Sequence, residues 1–426
     1  MKLTQKLAKP GVFVLLLFLI SLGLRSINFS QTLTYASDQG EFLIDAAEIL
    51  HEKPLKLIGI YVSSKKVEDK YFFIGSQFSY FLAFWQFILK HDVAKITYVF
   101  AVVNSFAVVF TFLVGRKLYG NFVGVSAALF YATFPFAINY SKMIWNPGLQ
   151  PLLTIIIIYL LLKLDNKIIW QAAVGGFLLG TELAIEYSSI ILLPIILSFI
   201  YFQNRTRFKK AWLTALVVFC FALASGISNL ILFDLRHDFY NSRLMLKYFL
   251  SAQASFQLAP HHILPLLPLI ILTAIYVLEK IVVNKKLVLF LLSFIAGINI
   301  FIYLSQLNRP SRVFGMPRNW TYSDIIRTSE IIKADQPTNF NITQIIDGDS
   351  RSFSMRYVLM YSQNLKDELK STTEYNSSDW LYVLHYNDQD VIKGGPYELT
   401  SFSYHRKIIW SKPINPNVNL SKLRRS

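Results

Sequence analysis

From residue 11 to residue 304 the chain alternates long apolar runs with short polar breaks. Runs of about 17 to 23 residues have the length a helix needs to cross a hydrocarbon core roughly 30 Å thick. The pattern predicts about nine membrane helices, near residues 11–29, 95–115, 121–139, 148–163, 168–185, 187–202, 211–232, 263–283 and 287–304. An odd number puts the two termini on opposite sides. With a cytoplasmic N-terminus, the inward connections are Arg116-Lys117, Lys163 to Lys167, the cluster Arg205, Arg207, Lys209 and Lys210, and Lys280 with Lys285-Lys286. All are short and basic, as inside loops are.

The first run follows Lys2, Lys6 and Lys9 and lacks a small-residue cleavage site, so it reads as a retained span. Residues 71–90 are apolar enough to imitate another. Counting them would turn every later basic loop outward, so they read as a helix lying in the membrane interface, rich in Phe, Tyr and Trp. This leaves a long first external loop, residues 30–94, with a second surface helix near 40–51 whose Phe42, Leu43, Ile44, Ala46, Ala47 and Ile49 form an apolar face and whose acids point elsewhere. After Leu304 the long runs stop and Asn, Ser, Asp and Pro increase. Residues 1–304 therefore read as a membrane domain, mainly α. Residues 305–426 read as a small soluble external α/β or α+β domain, with helices near 322–334 and 352–363 and strands near 340–346, 379–386 and 402–410.

Composition narrows the partners. The net charge of +16 would suit a nucleic-acid binder, but 54% of residues are hydrophobic and the cations cluster in the breaks. Anionic lipid headgroups fit that distribution and nucleic acid does not. The single cysteine, Cys220, lies in an apolar stretch and excludes both an intrachain disulfide and a cysteine metal site.

The chemistry-bearing residues gather in the external loops. Asp38 and Glu41 stand three apart at a helix start, where Asp38 can take a proton from an acceptor hydroxyl and Glu41 can position the acceptor or a metal. The same spacing also suits a capping box, with Asp38 as the cap and Glu41 reaching back to a backbone amide. In the second loop Lys142 is the functional candidate, while Trp145 and Pro147 suit anchoring and a helix start. The third loop, Phe233 to Arg243, carries Arg236, His237 and Arg243 beside the membrane, where a guanidinium can grip a phosphate or simply snorkel to headgroups. His261 and His262 open the next span and would need nearby carboxylates to hold a divalent metal. Glu182 and Glu186 share one face of the fifth span. A carboxylate at membrane depth is costly, so Glu182 is the functional candidate of the two.

Taken together, these residues resemble the GT-C fold of membrane glycosyltransferases that use polyprenyl-phosphate sugars, most closely the Rgt-type lipopolysaccharide core transferases related to protein O-mannosyltransferases and aminoarabinose transferases. Ser37-Asp38-Gln39-Gly40-Glu41 matches the first-loop motif. Ser141-Lys142-Met143-Ile144-Trp145-Asn146-Pro147 is similar to a Ser-Arg-x-x-Trp-Asn-Pro loop, with Lys142 in the arginine place. Phe233-Asp234-Leu235-Arg236-His237 resembles a Phe-Glu-Leu-Arg-His tract, and Arg116 to Gly124 a basic cytoplasmic turn. The likeness covers residues 10–245. The chain departs from the pattern at Gly75-Ser76-Gln77-Phe78, where relatives open a helix with Pro-Leu, and at Glu186-Tyr187, where relatives place a histidine before the tyrosine.

The resemblance implies an inverting glycosyltransferase of the plasma membrane, with site and C-terminal domain outside the cytoplasm. Its donor would be an undecaprenyl- or dolichyl-phosphate sugar and its acceptor a lipid, glycan or protein of the cell envelope. Asp38 is implied as the base, with Arg236, Lys142, Arg243 or a metal steadying the phosphate. The rival reading is a transporter or flippase of lipid-linked sugars, but such proteins carry paired repeats and midplane polar sites, whereas these polar groups lie in loops.

Overall fold

The computed structural model describes residues 10–52, 55–162, 168–205, 211–250, 259–282, 284–307 and 320–426. The basic connections Lys163 to Lys167 and Arg207, Lys209 and Lys210 lie outside them. Each expected span falls on helix, and three described helices are long and apolar enough to cross a membrane: Val93–Tyr119, Pro260–Ile281 and Lys286–Ser305. A fourth candidate is the pair Leu213–Gly226 and Ser228–Arg236, bent by 64°, and shorter apolar helices fill the remaining positions. Local chemistry explains the shortness. Phe134 is extended ahead of Pro135, which stops the Asn121–Thr133 helix, because a residue before proline is pushed out of the helical region. Small residues let neighbouring helices close up. A Cβ on Gly180 would stand 3.0 Å from the Gly226 Cα, which brings Ile168–Ile185 against Ala211–Gly226.

The segment after the first apolar helix differs from the expected two helices. Residues 71–75 are strand, not helix: β1 (Ile58–Val67) and β2 (Lys70–Gly75) form an antiparallel hairpin, and the interfacial helix begins only at Gln77 and runs to Leu89. The turn between them holds Glu68 and Asp69 at φ 51° and 61°. A two-residue hairpin turn needs such angles and usually advertises them with Asn or Gly, so the signal was absent here. The Gln77–Leu89 helix buries Phe78, Leu82 and Ala83 and exposes Phe84, Phe87 and Ile88, the amphipathic division expected at an interface.

The other loop helix spans Ser37–His51. Its capping differs from expectation: Gln39 Oε1 accepts from the Ala36 amide at 2.8 Å, which frees Asp38 and Glu41 from that duty. Nor do all its acids point outward. Asp45 is buried and bonded to Ser79 and Lys56.

The C-terminal region opens with the helix Tyr322–Ala334, capped by Thr321 and Asp324. It continues into a four-stranded mixed sheet of order β3-β4-β6-β5, with β3 Phe340–Gln344, β4 Trp380–Tyr386, β5 Arg406–Asn415 and β6 Val418–Arg425. β3 and β4 are parallel, and β6 pairs antiparallel with both β4 and β5. The expected last strand, 402–410, lies further on, and β6 was not anticipated. Its Lys422, Arg424 and Arg425 disguise an interior strand, although Lys422 snorkels over the Trp380 ring to reach Asp335 at 2.6 Å. This sheet shares one apolar core with the first loop: Phe340, Ile342, Tyr357 and Leu420 belong to the same cluster as Leu33, Tyr35, Phe42 and Leu43. The seam is tight at Gly40. A Cβ there would overlap the Phe353 carbonyl and the Ser354 amide, and beside it the Tyr35 hydroxyl donates to Ser354 O at 3.1 Å.

Candidate active site

The Gly40 seam brings the loop after β3, Asp347-Gly348-Asp349-Ser350-Arg351, against Asp38 and Glu41. The Gln344 amide nitrogen ties both sides, donating to Ser37 Oγ at 2.9 Å, to Asp347 Oδ2 at 2.6 Å and to Asp349 O at 3.1 Å. Arg351 clamps Asp349 at 2.8 Å, donates to the Tyr61 hydroxyl of β1 at 2.6 Å and lies 4.5 Å above the Phe353 ring. Three separate parts of the chain therefore wall one acidic recess: the Ser37–His51 helix, the hairpin and the C-terminal loop.

Its electrostatics follow from that enclosure. Asp38 reaches solvent but is ringed by protein, and desolvation, reinforced by Asp349, raises its pKa against the pull of Arg351. Glu41 rises to about 7, through desolvation first and then repulsion from Asp349, Asp38 and Asp45, with Arg351 opposing. Asp347 rises to about 6, again mainly by desolvation. Burial works against the Arg351 charge too, but its bonds to Asp349 and Tyr61 outweigh it and raise that pKa. The recess can thus present a base, hydrogen-bond-donating carboxyls and a fixed cation together near neutral pH.

One turn deeper, Lys56 binds Asp45 and Glu48, the latter at 3.0 Å, and fixes the chain leading into the hairpin. Burial is the largest influence on Asp45 and raises its pKa even with Lys56 beside it.

The other sequence candidates make none of the contacts just described. Lys142 is fully buried: its ammonium donates to Ile27 O at 3.2 Å, Thr32 Oγ1 at 2.7 Å and the Tyr303 hydroxyl at 2.6 Å. Burial, and then the charge of Arg25, push its pKa down to about 7. Arg236 and Arg243 are exposed. The tract that carries them is docked by Asp234, which accepts from the amides of Asn241 at 2.7 Å and Ser242 at 3.0 Å, while Asn241 bonds both the amide and the carbonyl of Phe73 on β2. His237 stacks on Phe233 and contacts its carbonyl at 2.8 Å. His261 packs on the Trp145 ring and on His262. Glu182 is fully buried among Thr154 and Ser189, and Glu186 accepts from Asn146 at 3.0 Å. Among the described residues, no three His, Cys, Asp or Glu side chains converge as metal ligands.

Sequence reasoning missed Asp347, Asp349, Arg351 and Tyr61. A polar Asp-Gly-Asp-Ser-Arg stretch directly after an apolar strand marks a loop, but nothing local says which distant helix it meets.

A bundle of apolar helices, a long first loop holding an acidic helix, and a C-terminal sheet closing over that helix together make up the GT-C fold. No family model matches the sequence and no curated protein matches it, so the likeness lies in shape. The chain is similar to the crystal structure of ArnT from Cupriavidus metallidurans in the apo state, with TM-score 0.59 and 9% identity over 97% of this chain and 98% of that one. The same protein bound to undecaprenyl phosphate matches at TM-score 0.57, with the same identity and coverage. The arabinofuranosyltransferase AftD from Mycobacteria matches at TM-score 0.52 and 12% identity, over 97% of this chain and 40% of that one.

Proposed function

We propose that this chain is an inverting glycosyltransferase that moves a sugar from a polyprenyl phosphate to a hydroxyl of a lipid, glycan or protein acceptor on the outer face of the plasma membrane. In this reading residues 1–304 are a nine-span domain and residues 305–426 an external unit that completes the site. The observation that carries the proposal is the acidic recess of Asp38 and Glu41, on the segment that follows the first apolar helix, in a fold shared along almost its whole length with a protein solved bound to undecaprenyl phosphate.

Asp38 takes the acceptor proton as the acceptor oxygen bonds to the anomeric carbon. The bond from that carbon to the phosphate oxygen breaks, and its electron pair leaves with the lipid phosphate. Glu41 and Asp347, which burial keeps partly protonated near neutrality, orient sugar hydroxyls. Arg236 and Arg243, exposed at the surface, meet the departing phosphate. Lys142, with its three hydrogens engaged, braces the start of the first loop. The test is transfer from a polyprenyl-phosphate sugar by the purified protein in oriented vesicles. Product should form only where the outer face is accessible, and donor crossing without product would point to a transporter.

Four variants probe these roles. Arg236→Ala should weaken donor use, raising the donor concentration needed for half-maximal rate, and Arg236→Lys should recover only part of the loss, because an ammonium lacks the planar fork. An unchanged donor titration moves the phosphate contact elsewhere. Arg351 favours the ionised form of Asp38, so its loss raises the pKa of the base. The acid limb of the rate profile should therefore move to higher pH in Arg351→Gln and to lower pH in Asp349→Asn. Unmoved limbs in both variants would separate Arg351 from the base.

A further inference from the structure

Arg25, in the last turn of the Pro10–Ser26 helix, is fully buried, yet only one arm of its guanidinium is used: Nη1 donates to Ser21 Oγ at 2.7 Å and reaches Ala132 O at 3.4 Å. Nε and Nη2, the two nitrogens on one edge of the fork, have no hydrogen-bond partner, and neither has the Tyr131 hydroxyl in the adjoining Asn121–Thr133 helix. The second cation, Lys142, lies close enough to feel Arg25 and is also fully buried. Among the described residues no carboxylate pairs with either. An enclosed guanidinium without a counter-ion, a buried amine beside it and three unmet donors are strongly unfavourable in a protein interior. The arrangement has the complement of an oxyanion. The free fork edge has the donors to hold two oxygens of a phosphate, and the Tyr131 phenol, within electrostatic reach of Arg25, adds another.

We propose that the Arg25 fork and the Tyr131 hydroxyl form a binding site for a phosphate group carried by a membrane lipid. Ser26 is the last residue of the span and leads directly into the loop bearing Asp38, so the site sits at the end of the bundle where a headgroup lies. The Pro10–Ser26 and Lys285–Ser305 helices both pack on Asn121–Thr133, and both turn apolar faces outward, with Leu15, Leu19, Phe294 and Phe301 exposed. The lipid reaches the fork along these faces. The site is independent of the sugar-transfer chemistry and stands or falls without it.

The test is the thermal midpoint of the purified full chain in neutral detergent, with native mass spectrometry to count bound lipid. The probes are undecaprenyl phosphate, phosphatidylglycerol and inorganic phosphate. At least one lipid probe should raise the midpoint of the wild type by several degrees. Arg25→Leu should fold at least as well without lipid, since it removes a buried unpaired charge, and should lose the shift. A shift with undecaprenyl phosphate alone assigns the site to a polyprenyl phosphate, and a shift with both lipids assigns it to phosphate lipids generally. If Arg25→Leu does not fold, Arg25→Lys and Tyr131→Phe should each lose most of the shift while keeping the wild-type midpoint without lipid. Equal shifts in wild type and variants, no shift with either lipid, or a response to inorganic phosphate alone would overturn the proposal.

Discussion

Replacing Asp38 by Asn is expected to leave folding and membrane insertion intact and to lower sugar transfer by at least about a hundredfold, the scale on which a lost general base is felt. The substitution is nearly isosteric, and the helix start does not depend on it, because Gln39 carries the capping bond to Ala36. The effect should fall on the maximal rate more than on donor binding, since Asp38 acts when the acceptor proton moves. Measured turnover together with an unchanged thermal midpoint checks this. Near-normal turnover in a folded Asp38→Asn protein would leave the recess without its base.

The next largest effect is expected at a residue with no side chain. Gly40→Ala places a methyl group into the backbone of Phe353 and Ser354, and backbone on both sides cannot swing aside as a side chain would. Overpacking of this kind costs about 1–3 kcal/mol, and here it falls on the seam that holds Asp347, Asp349 and Arg351 against Asp38. We expect a lower midpoint together with reduced transfer. Tyr35→Phe, which removes only the bond to Ser354 O, should produce a milder form of both losses. A Gly40→Ala protein with wild-type stability and rate would show that the two faces are not pressed together.

The long apolar helices Val93–Tyr119, Pro260–Ile281 and Lys286–Ser305 were legible because spanning a hydrocarbon slab leaves a length signal in the sequence, and Tyr322–Ala334 because its apolar spacing and Thr321–Asp324 cap are local. The hairpin was not. Its turn uses Glu68 and Asp69 where glycine or asparagine would have marked it, and its aromatic second strand reads equally well as interface helix. β6 hid for a related reason: burial of Lys422 depends on Trp380 and Asp335, which lie far away in sequence. Asp38 and Glu41 stood out because acids next to a span are conspicuous. The wall facing them consists of ordinary loop residues whose importance comes only from where the tertiary fold puts them. Lys142 shows the reverse. It is conspicuous in sequence, and in space it is spent on Ile27, Thr32 and Tyr303.

Gln344 and the Ser37 it bonds are 307 positions apart. A ribosome adding about 5–20 residues per second needs roughly 15–60 s to cover that distance. Throughout that interval the nascent protein carries Asp38 without Asp347, Asp349 or Arg351 around it, and the recess closes only after the chain has grown past Arg351. A chain made only as far as its last long apolar helix therefore has no finished recess. A product cut short before β3 keeps its apolar helices but lacks the far wall of the recess.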